Sequence, residues 1–222
     1  MKSITRTLLL AMLPAVPMAS MATTTQCGPD VCYQYDETQA AIALLGNPRL
    51  VGDDLQFLPW DFWAISSDGT GAGAMSTIFT FDRVYTLSGA DILGLTVHEE
   101  GDYEIVGHGG VADLLDMQAS SNVNALDTGG ASAPFNAAGD SSGPRIWTNT
   151  LSFNPGFSGP ANDMKLSITN TLTADTAGSG DYAFIHKKFV LQTLTTVPVP
   201  AAVWLLGSGL GLLGLLRRRA TT

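Results

Sequence analysis

Apolar and polar residues alternate in short runs along most of the chain, and glycine or charged residues separate the runs. In the clearest run, 146–153, Trp147, Leu151 and Phe153 share one face with Asn149. A period of two is typical of half-buried strands. Similar runs predict strands at 54–58, 62–66, 76–86, 92–98, 103–106, 165–173 and 184–194. This spacing predicts an all-β chain folded as an antiparallel, jelly-roll-like β-sandwich.

Five segments depart from the alternation. Residues 37–45 contain alanine and leucine at helical spacing, which predicts one short helix. Residues 111–118 have a mixed pattern that fits either a strand or one helical turn. Residues 120–143 have little apolar content and many small side chains, which predicts a long surface loop. Charged and glycine residues predict a turn at 99–102 and a hairpin turn between the last two strands at 175–181.

The N-terminus has the pattern of an export signal. Lys2 and Arg6 form a basic start, residues 8–16 are apolar, and small residues precede a cleavage site after Ala22. The alternative is an uncleaved anchor or an amphipathic terminus, but the apolar run is too short to span a bilayer. We therefore predict a signal peptide over residues 1–22 and export of the remaining chain to an oxidising compartment.

The chain contains two cysteines, Cys27 and Cys32, with four residues between them. In an exported chain, a pair this close predicts a local disulfide. A redox pair has two intervening residues, and a metal site needs ligands beyond these two. The predicted disulfide closes a short loop, contributes about 2 kcal/mol of stability and ties the mature N-terminus to the first strand.

Residues 197–222 combine a proline motif, an apolar segment and a basic end. Residues 203–216 are apolar, and they predict a transmembrane helix over 201–216 that is short for a ~30 Å hydrocarbon core. Arg217, Arg218 and Arg219 form a basic stop that is expected to stay on the cytoplasmic side. The two prolines favour extended backbone before the helix, as a membrane protease requires. The motif itself consists of Val197, Pro198, Val199, Pro200, Ala201 and Ala202.

Together, these C-terminal features resemble the PEP-CTERM sorting signal of Gram-negative bacteria, in a variant that reads Val-Pro-x-Pro-Ala-Ala. The resemblance covers residues 197–222 and does not extend to the preceding domain. It implies that an exosortase, a multi-spanning membrane cysteine protease, recognises the chain while the chain is anchored in the inner membrane. It also implies delivery to the cell surface or extracellular matrix, where such proteins often accompany exopolysaccharide and biofilm. The alternative is a plain tail anchor with a proline linker.

Charge separates the two ends of the chain from its middle. Residues 23–196 hold all 20 acidic residues but only six of the 11 lysines and arginines. A surface this negative repels phosphate backbones, which argues against nucleic-acid binding. The length of this segment suits a single domain with its own core. We therefore predict three parts: a signal peptide (1–22), an acidic β-sandwich domain (23–196) and a sorting signal (197–222).

No sequence motif indicates catalysis. Neither a G-x-S-x-G elbow nor an H-E-x-x-H helix occurs, and nothing in the sequence singles out one of the three histidines as a member of a Ser-His-Asp set. The chain is therefore predicted not to be an enzyme. A metal site formed by His98 and His108 across a hairpin is one alternative, and two surface histidines are the better supported one.

Acidic residues cluster along the chain and offer hard oxygen ligands. If the domain binds a structural Ca²⁺, the first ligands to consider are Asp53, Asp54, Glu100 and Asp102. The sequence lacks a calcium-binding loop motif, so a solvated acidic face is the favoured interpretation and no cofactor is required. Four further carboxylates of these clusters, Glu99, Glu104, Asp113 and Asp116, are predicted to belong to the same solvated face.

Trp60 and Trp63 form an aromatic cluster beside a proline. Residues of this type more often fill a core, and that is the prediction for both, as for Trp147. The alternative is that Trp60 and Trp63 are exposed and stack on sugar rings. The leading functional prediction is a structural or adhesive component of the envelope or matrix. A carbohydrate-binding module is the alternative, and a secreted hydrolase is less well supported.

Overall fold

The computed structural model describes residues 22–141 and 143–196. The predicted signal peptide, apart from Ala22, lies outside the described residues. So does the whole predicted sorting signal, including the proline motif at 197–202 and the arginines at 217–219. In the part of the chain that is described, no helix is long and apolar enough to cross a membrane.

The described residues form two antiparallel sheets and one short helix. The first sheet has the strand order β1-β2-β6-β11-β8-β9, and the second has the order β10-β7-β12-β4-β3, with β5 also paired to β12. This arrangement confirms the predicted all-β antiparallel sandwich. The elements are β1 (Thr23–Cys27), β2 (Val31–Asp36), α1 (Ala41–Leu45), β3 (Arg49–Val51), β4 (Asp54–Phe57), β5 (Trp63–Ser67), β6 (Gly73–Thr86), β7 (Ile92–Val106), β8 (Gly109–Ser121), β9 (Thr128–Ala138), β10 (Arg145–Phe153), β11 (Asp163–Thr176) and β12 (Tyr182–Thr196).

The last eight strands interleave between the two sheets. The order β5-β12-β7-β10 in one sheet faces the order β6-β11-β8-β9 in the other. The chain changes sheet at every connection in this region except the one between β8 and β9. Such interleaving is typical of jelly-roll sandwiches. It places β7 and β12 at the centre of one sheet and β8 and β11 at the centre of the other.

Alternating side chains from both sheets fill the core. Trp147, Leu151 and Phe153 on β10 are buried, as their alternation predicted. At one end of the core, five aromatic rings contact one another, with centroid separations of 4.8 to 6.1 Å for the pairs in contact. These rings belong to Tyr33, Tyr35, Phe57, Phe79 and Phe81.

The predicted disulfide is present. Cys27 and Cys32 are bonded and lie directly opposite each other at the end of the β1–β2 hairpin. The Asp53 carboxylate accepts hydrogen bonds from the backbone N–H groups of Asp30 and Val31, at 2.8 and 2.9 Å. The hairpin is therefore attached to the β3–β4 turn as well as closed by the disulfide.

The surface loop predicted at 120–143 is wrong, because residues 128–138 of it form the strand β9. This strand pairs with β8 along its whole length. Ala131, Ala133, Phe135 and Ala137 alternate along it and pack against the core. The strand lies at the edge of the sheet and places small residues against the core, so its apolar signal in the sequence is weak.

Three further boundaries differ from the prediction. The turn predicted at 99–102 does not exist, because β7 continues through it. The turn at 175–181 joins β11 to β12, which lie in different sheets, so it is not a hairpin turn. The helix begins at Ala41 instead of residue 37, and the segment with the mixed pattern belongs to the strand β8.

Candidate functional site

The outer face of the second sheet carries a row of four side chains that lie opposite one another. Trp63 on β5 faces His186 on β12, His186 faces Asp102 on β7, and Asp102 faces Ile146 on β10. Phe184 lies two residues before His186 and therefore points to the same side of the sheet. We call Trp63, Phe184, His186, Asp102 and Ile146 the aromatic face.

Rings on the aromatic face contact one another, with Trp63 exposed and Phe184 and His186 partly exposed. The Trp63 and Phe184 centroids are 6.4 Å apart, and those of Phe184 and His186 are 6.1 Å apart. Trp63 is 37% exposed, and its indole N–H donates to Asp61 Oδ1 at 3.0 Å. Trp60 precedes β5 and is 80% exposed. The prediction that both tryptophans belong to the core is therefore wrong.

Polar groups border these rings. Lys188 Nζ donates to Asp102 Oδ2 at 2.8 Å, and His186 Nδ1 lies 3.6 Å from Asp102 Oδ1. A surface depression of about 240 Å³ continues from this point, and its lining includes Glu100, Ile146 and Lys188. The face therefore combines flat apolar rings with charged donors and acceptors beside an open groove.

The four predicted calcium ligands do not converge. Asp53 and Asp54 lie at the turn that enters β4, whereas Glu100 and Asp102 lie within β7. The Asp53 carboxylate accepts a hydrogen bond from the backbone of the β1–β2 hairpin, and the Asp102 carboxylate accepts one from Lys188. In residues 22–141 and 143–196, no group of three or more His, Cys, Asp or Glu side chains could hold a metal ion. The proposed calcium set is thus not assembled by the fold.

The two histidines considered for a metal site also interact with different residues. His98 Nδ1 lies 2.9 Å from Thr150 Oγ1 on the neighbouring strand. His108 is in the β7–β8 turn, where its backbone N–H donates to Asp181 Oδ1 at 2.9 Å. Each histidine therefore has a local partner in its own part of the sandwich.

A second group of polar side chains lies inside the sandwich. Lys187 Nζ is 2.6 Å from Glu99 Oε2 and 3.0 Å from Asp113 Oδ1, and it also donates to Asn170 Oδ1. Asn149 Nδ2 donates to Asp113 Oδ2 at 2.8 Å. Lys187, Glu99, Asp113 and Asn170 are at most 1% exposed. We call these five residues the buried polar cluster.

The jelly-roll order explains how this cluster forms. Lys187 and Glu99 come from the neighbouring strands β12 and β7 of one sheet, and Asp113 and Asn170 come from β8 and β11 of the other. The ammonium group also lies 5.7 Å from the Phe62 ring centroid and 5.6 Å from that of Trp147. Two carboxyl groups, one amine and one amide therefore meet between the two sheets without access to water.

Gly101 permits this close packing. A Cβ atom at this position would lie 1.9 Å from the His186 carbonyl oxygen and 2.6 Å from Trp147 Nε1. The Trp147 indole N–H donates to that same carbonyl at 3.1 Å. A glycine inside a strand often marks such a close approach. The glycine that contributed to the turn prediction at 99–102 is thus required for close packing of β7 against His186 and Trp147.

Sequence analysis did not find the buried polar cluster. Glu99 and Asp113 were assigned to a solvated face, and this assignment is wrong because both are buried. One usable signal is present in the sequence: Asn170 shares the alternation of Leu166, Ile168 and Leu172, which all face inward on β11. The other members of the cluster come from four other strands, and no local pattern in the sequence indicates that these strands meet.

Burial controls the charge of Glu99. Loss of water around its carboxyl group raises its pKa to about 8, although the nearby Lys187 opposes the shift. The Asp113 carboxylate raises the pKa further, because two close negative charges repel each other. Glu99 is therefore mostly protonated at neutral pH, and one carboxylate remains to balance the Lys187 ammonium.

This pKa gives the domain an unusual pH dependence. Glu99 ionises near pH 4.5 when exposed and near pH 8 when folded. Between these values the folded state binds a proton that the unfolded state has lost, so stability falls as pH rises, by at most about 1.4 kcal/mol per pH unit. Urea unfolding at pH 5 to 9 measures the slope. We expect Glu99→Gln to flatten the dependence of the unfolding free energy on pH. We expect Glu100→Gln, at an exposed position, to leave that dependence unchanged. Equal slopes in the unchanged protein and both variants would contradict this prediction.

Comparisons with known proteins give no family. No family model matches the chain, and no curated protein matches it. Among solved structures, the chain is similar to TmCBM61, determined in complex with beta-1,4-galactotriose, at 12% identity and a TM-score of 0.22, over 58% of this chain and 86% of that chain. It is also similar to the enzymatically active domain of bacteriophage CBA120 tailspike protein 4, at 8% identity and a TM-score of 0.25, over 77% and 19%. A structure of infectious bursal disease virus, Gt strain, has 13% identity and a TM-score of 0.20, over 85% and 51%. These low scores do not establish a shared function.

Proposed function

We propose that this chain is a non-enzymatic, exported protein of the cell surface or extracellular matrix that binds polysaccharide through its aromatic face. The observation that carries the proposal is the row of neighbouring rings, in which Trp63 is exposed and Phe184 and His186 are partly exposed, bordered by the Asp102 carboxylate and the Lys188 ammonium. Trp60, in the loop before β5, is a further exposed aromatic residue.

The chemistry of such a face suits sugars. The C–H surfaces of a pyranose ring are apolar and pack against flat aromatic rings, while its hydroxyl groups need hydrogen-bond donors and acceptors at the edges. Asp102 accepts and Lys188 donates beside the rings. Two further polar atoms here, Asp102 Oδ1 and His186 Nε2, are buried and have no hydrogen-bond partner among the described residues. The groove of about 240 Å³ beside them leaves room for one neighbouring sugar ring.

Envelope location and sorting remain part of the proposal. They rest on the resemblance of residues 197–222 to a PEP-CTERM signal, with exosortase as the processing partner and the inner membrane as a transient anchor. A purely structural or adhesive role uses the same location, but it does not explain why aromatic rings are exposed side by side. A hydrolase would require a catalytic pair in a cleft, and the groove beside Asp102 instead has its carboxylate bound to Lys188.

A single substitution tests the binding face. We expect Trp63→Ala to weaken binding to polysaccharide extracted from the host's own extracellular matrix by about tenfold or more, or about 1.4 kcal/mol. The loss arises because the ring removed is the one that would stack on the sugar. Retardation of the full chain in polysaccharide-containing gels measures the affinity.

The matched control is Ile78→Ala, which removes an exposed apolar side chain from the outer face of the other sheet. We expect this variant to bind as the unchanged protein does. Circular dichroism of both variants checks that the fold is retained. Undiminished binding by Trp63→Ala, or absence of binding by the unchanged protein, would remove the proposal.

A further inference from the structure

The buried polar cluster places an amine against an amide inside the core. Lys187 Nζ contacts Asn170 Oδ1, and both side chains are fully buried. Asn170 Nδ2 has no hydrogen-bond partner among the described residues, although it is buried. A polar core group without a partner is costly and calls for an explanation. Two carboxyl groups also lie within 3.0 Å of the amine.

We propose that Lys187 Nζ and Asn170 Cγ become joined by an intramolecular amide bond, an isopeptide cross-link, which the surrounding side chains form without another enzyme. The bond would connect β12 in one sheet to β11 in the other. It lies on the inner face of the sheet, so it is independent of glycan binding on the outer face.

The bond-forming step balances without an added reagent. Lys187 first gives one proton to the Asp113 carboxylate, which leaves a neutral amine with a free electron pair. That pair attacks Asn170 Cγ, the Nζ–Cγ bond forms, and the carbonyl electrons move to the oxygen. When the carbonyl re-forms, the Cγ–Nδ2 bond breaks and the amide nitrogen leaves as ammonia, which takes up protons from the cluster. One ammonium ion is released for each ammonium group consumed, and no oxidant or reductant is needed.

Glu99 supplies the proton relay. Its Oε2 atom is 2.6 Å from Lys187 Nζ. Burial raises the pKa of Glu99 to about 8, so its carboxyl group carries a proton at neutral pH. A protonated carboxyl group donates a hydrogen bond to the oxygen that becomes negative, and it can return a proton to the leaving nitrogen. The dry interior strengthens these interactions and keeps water from the reacting carbon.

Asn170 is a better acceptor for this bond than Asp113. A carboxylate resists attack by an amine, because it is negatively charged and has no good leaving group. Asp113 Oδ2 is also held by Asn149 Nδ2 at 2.8 Å. In contrast, no hydrogen bond among the described residues retains Asn170 Nδ2, so it can depart. The geometry therefore assigns Asp113 the role of base and Asn170 that of electrophile.

Tryptic digestion of the denatured full chain tests the cross-link. Trypsin cuts after lysine and arginine, and residues 166–188 contain both Asn170 and Lys187 between the cut sites at Lys165 and Lys188. We expect a peptide 166–188 that is not cut after Lys187 and is lighter by one ammonia molecule. Its fragment spectrum should lack cleavages between the two joined residues, because they close a ring.

Two variants distinguish a residue that the reaction requires from a neighbour that it does not require. We expect Glu99→Gln to leave the peptide 166–187 linear and unmodified, since the proton relay is lost. The matched control is Lys188→Arg, which keeps the trypsin site and changes only the exposed neighbour of the reacting lysine; its peptide should remain cross-linked.

Either of two results would overturn the proposal. The first is a peptide 166–187 of unmodified mass from the folded, unchanged protein, which would show that the cluster is held by ion pairs alone. The second is loss of one water with a link from residues 84–145, which would place the bond at Asp113 instead. Both results come from the unchanged protein, so they do not depend on whether any variant folds.

Discussion

Replacing Lys187 with methionine is expected to lower the free energy of unfolding by about 3–5 kcal/mol. The methionine side chain fills much of the space of the lysine stem, so the main loss is the positive charge. Without it, the Asp113 carboxylate remains buried beside Glu99 with no cation, at a site where neither is exposed to water. In the cross-linked chain Lys187 Nζ is a neutral amide nitrogen, so there the same substitution removes the bond between the two sheets in place of the charge. Urea unfolding at pH 7 measures the change.

Lys188 provides a matched control one residue away. Its side chain is 54% exposed and pairs with Asp102 at the surface. Exposed ion pairs typically contribute less than about 1 kcal/mol, so Lys188→Met should have little effect on stability. If both substitutions changed the free energy of unfolding equally, the interior location would not be the source of the stabilisation, and the account of the buried polar cluster would fail.

Phe79→Ala is expected to have a comparable effect, again about 3–5 kcal/mol. Phe79 is fully buried, and its ring contacts those of Tyr35, Phe57 and Phe81 with centroid distances of 5.5, 5.0 and 4.8 Å. These neighbours come from three strands in both sheets, so they cannot close the resulting cavity without moving apart from their own partners. The midpoint of thermal or urea unfolding reports the loss.

The adjacent residue gives a stringent comparison. Ile78 precedes Phe79 on β6, but it points to the opposite side of the sheet and is 57% exposed. Ile78→Ala should therefore change the free energy of unfolding by less than about 1 kcal/mol. A large effect at Ile78 would indicate that this outer face is covered by another surface in solution.

Local alternation was sufficient to predict most strands and the faces they bury. The side chains of 146–153 divide into inward and outward sets as the sequence indicates, because side chains on a strand alternate strictly between its two faces. The disulfide was also predictable, since only two cysteines exist and they are close in sequence. Strand β9 was missed because alanine and glycine residues carry little hydrophobic signal, although they fit an edge strand well.

The candidate sites depended on contacts that no local pattern encodes. Trp63 was recognised as a candidate for sugar stacking, but its exposure depends on the sheet face that β5 presents after it pairs with β12. Phe184 and His186 join it only because of that pairing. Glu99 and Asp113 resemble ordinary surface carboxylates in the sequence, and they become buried only because β7 and β8 are central strands of two facing sheets.

The sequence by itself determined the strand class of the domain, the hairpin disulfide and the acidic character of residues 23–196, because these follow from nearest neighbours and composition. It also carries the resemblance to a sorting signal at 197–222, which lies outside the described residues. Only the tertiary structure decided which polar groups face water and which face one another. Jelly-roll interleaving brings Lys187 to Asn170 and Trp63 to His186, because the pairing of distant strands sets these distances and spacing along the chain does not.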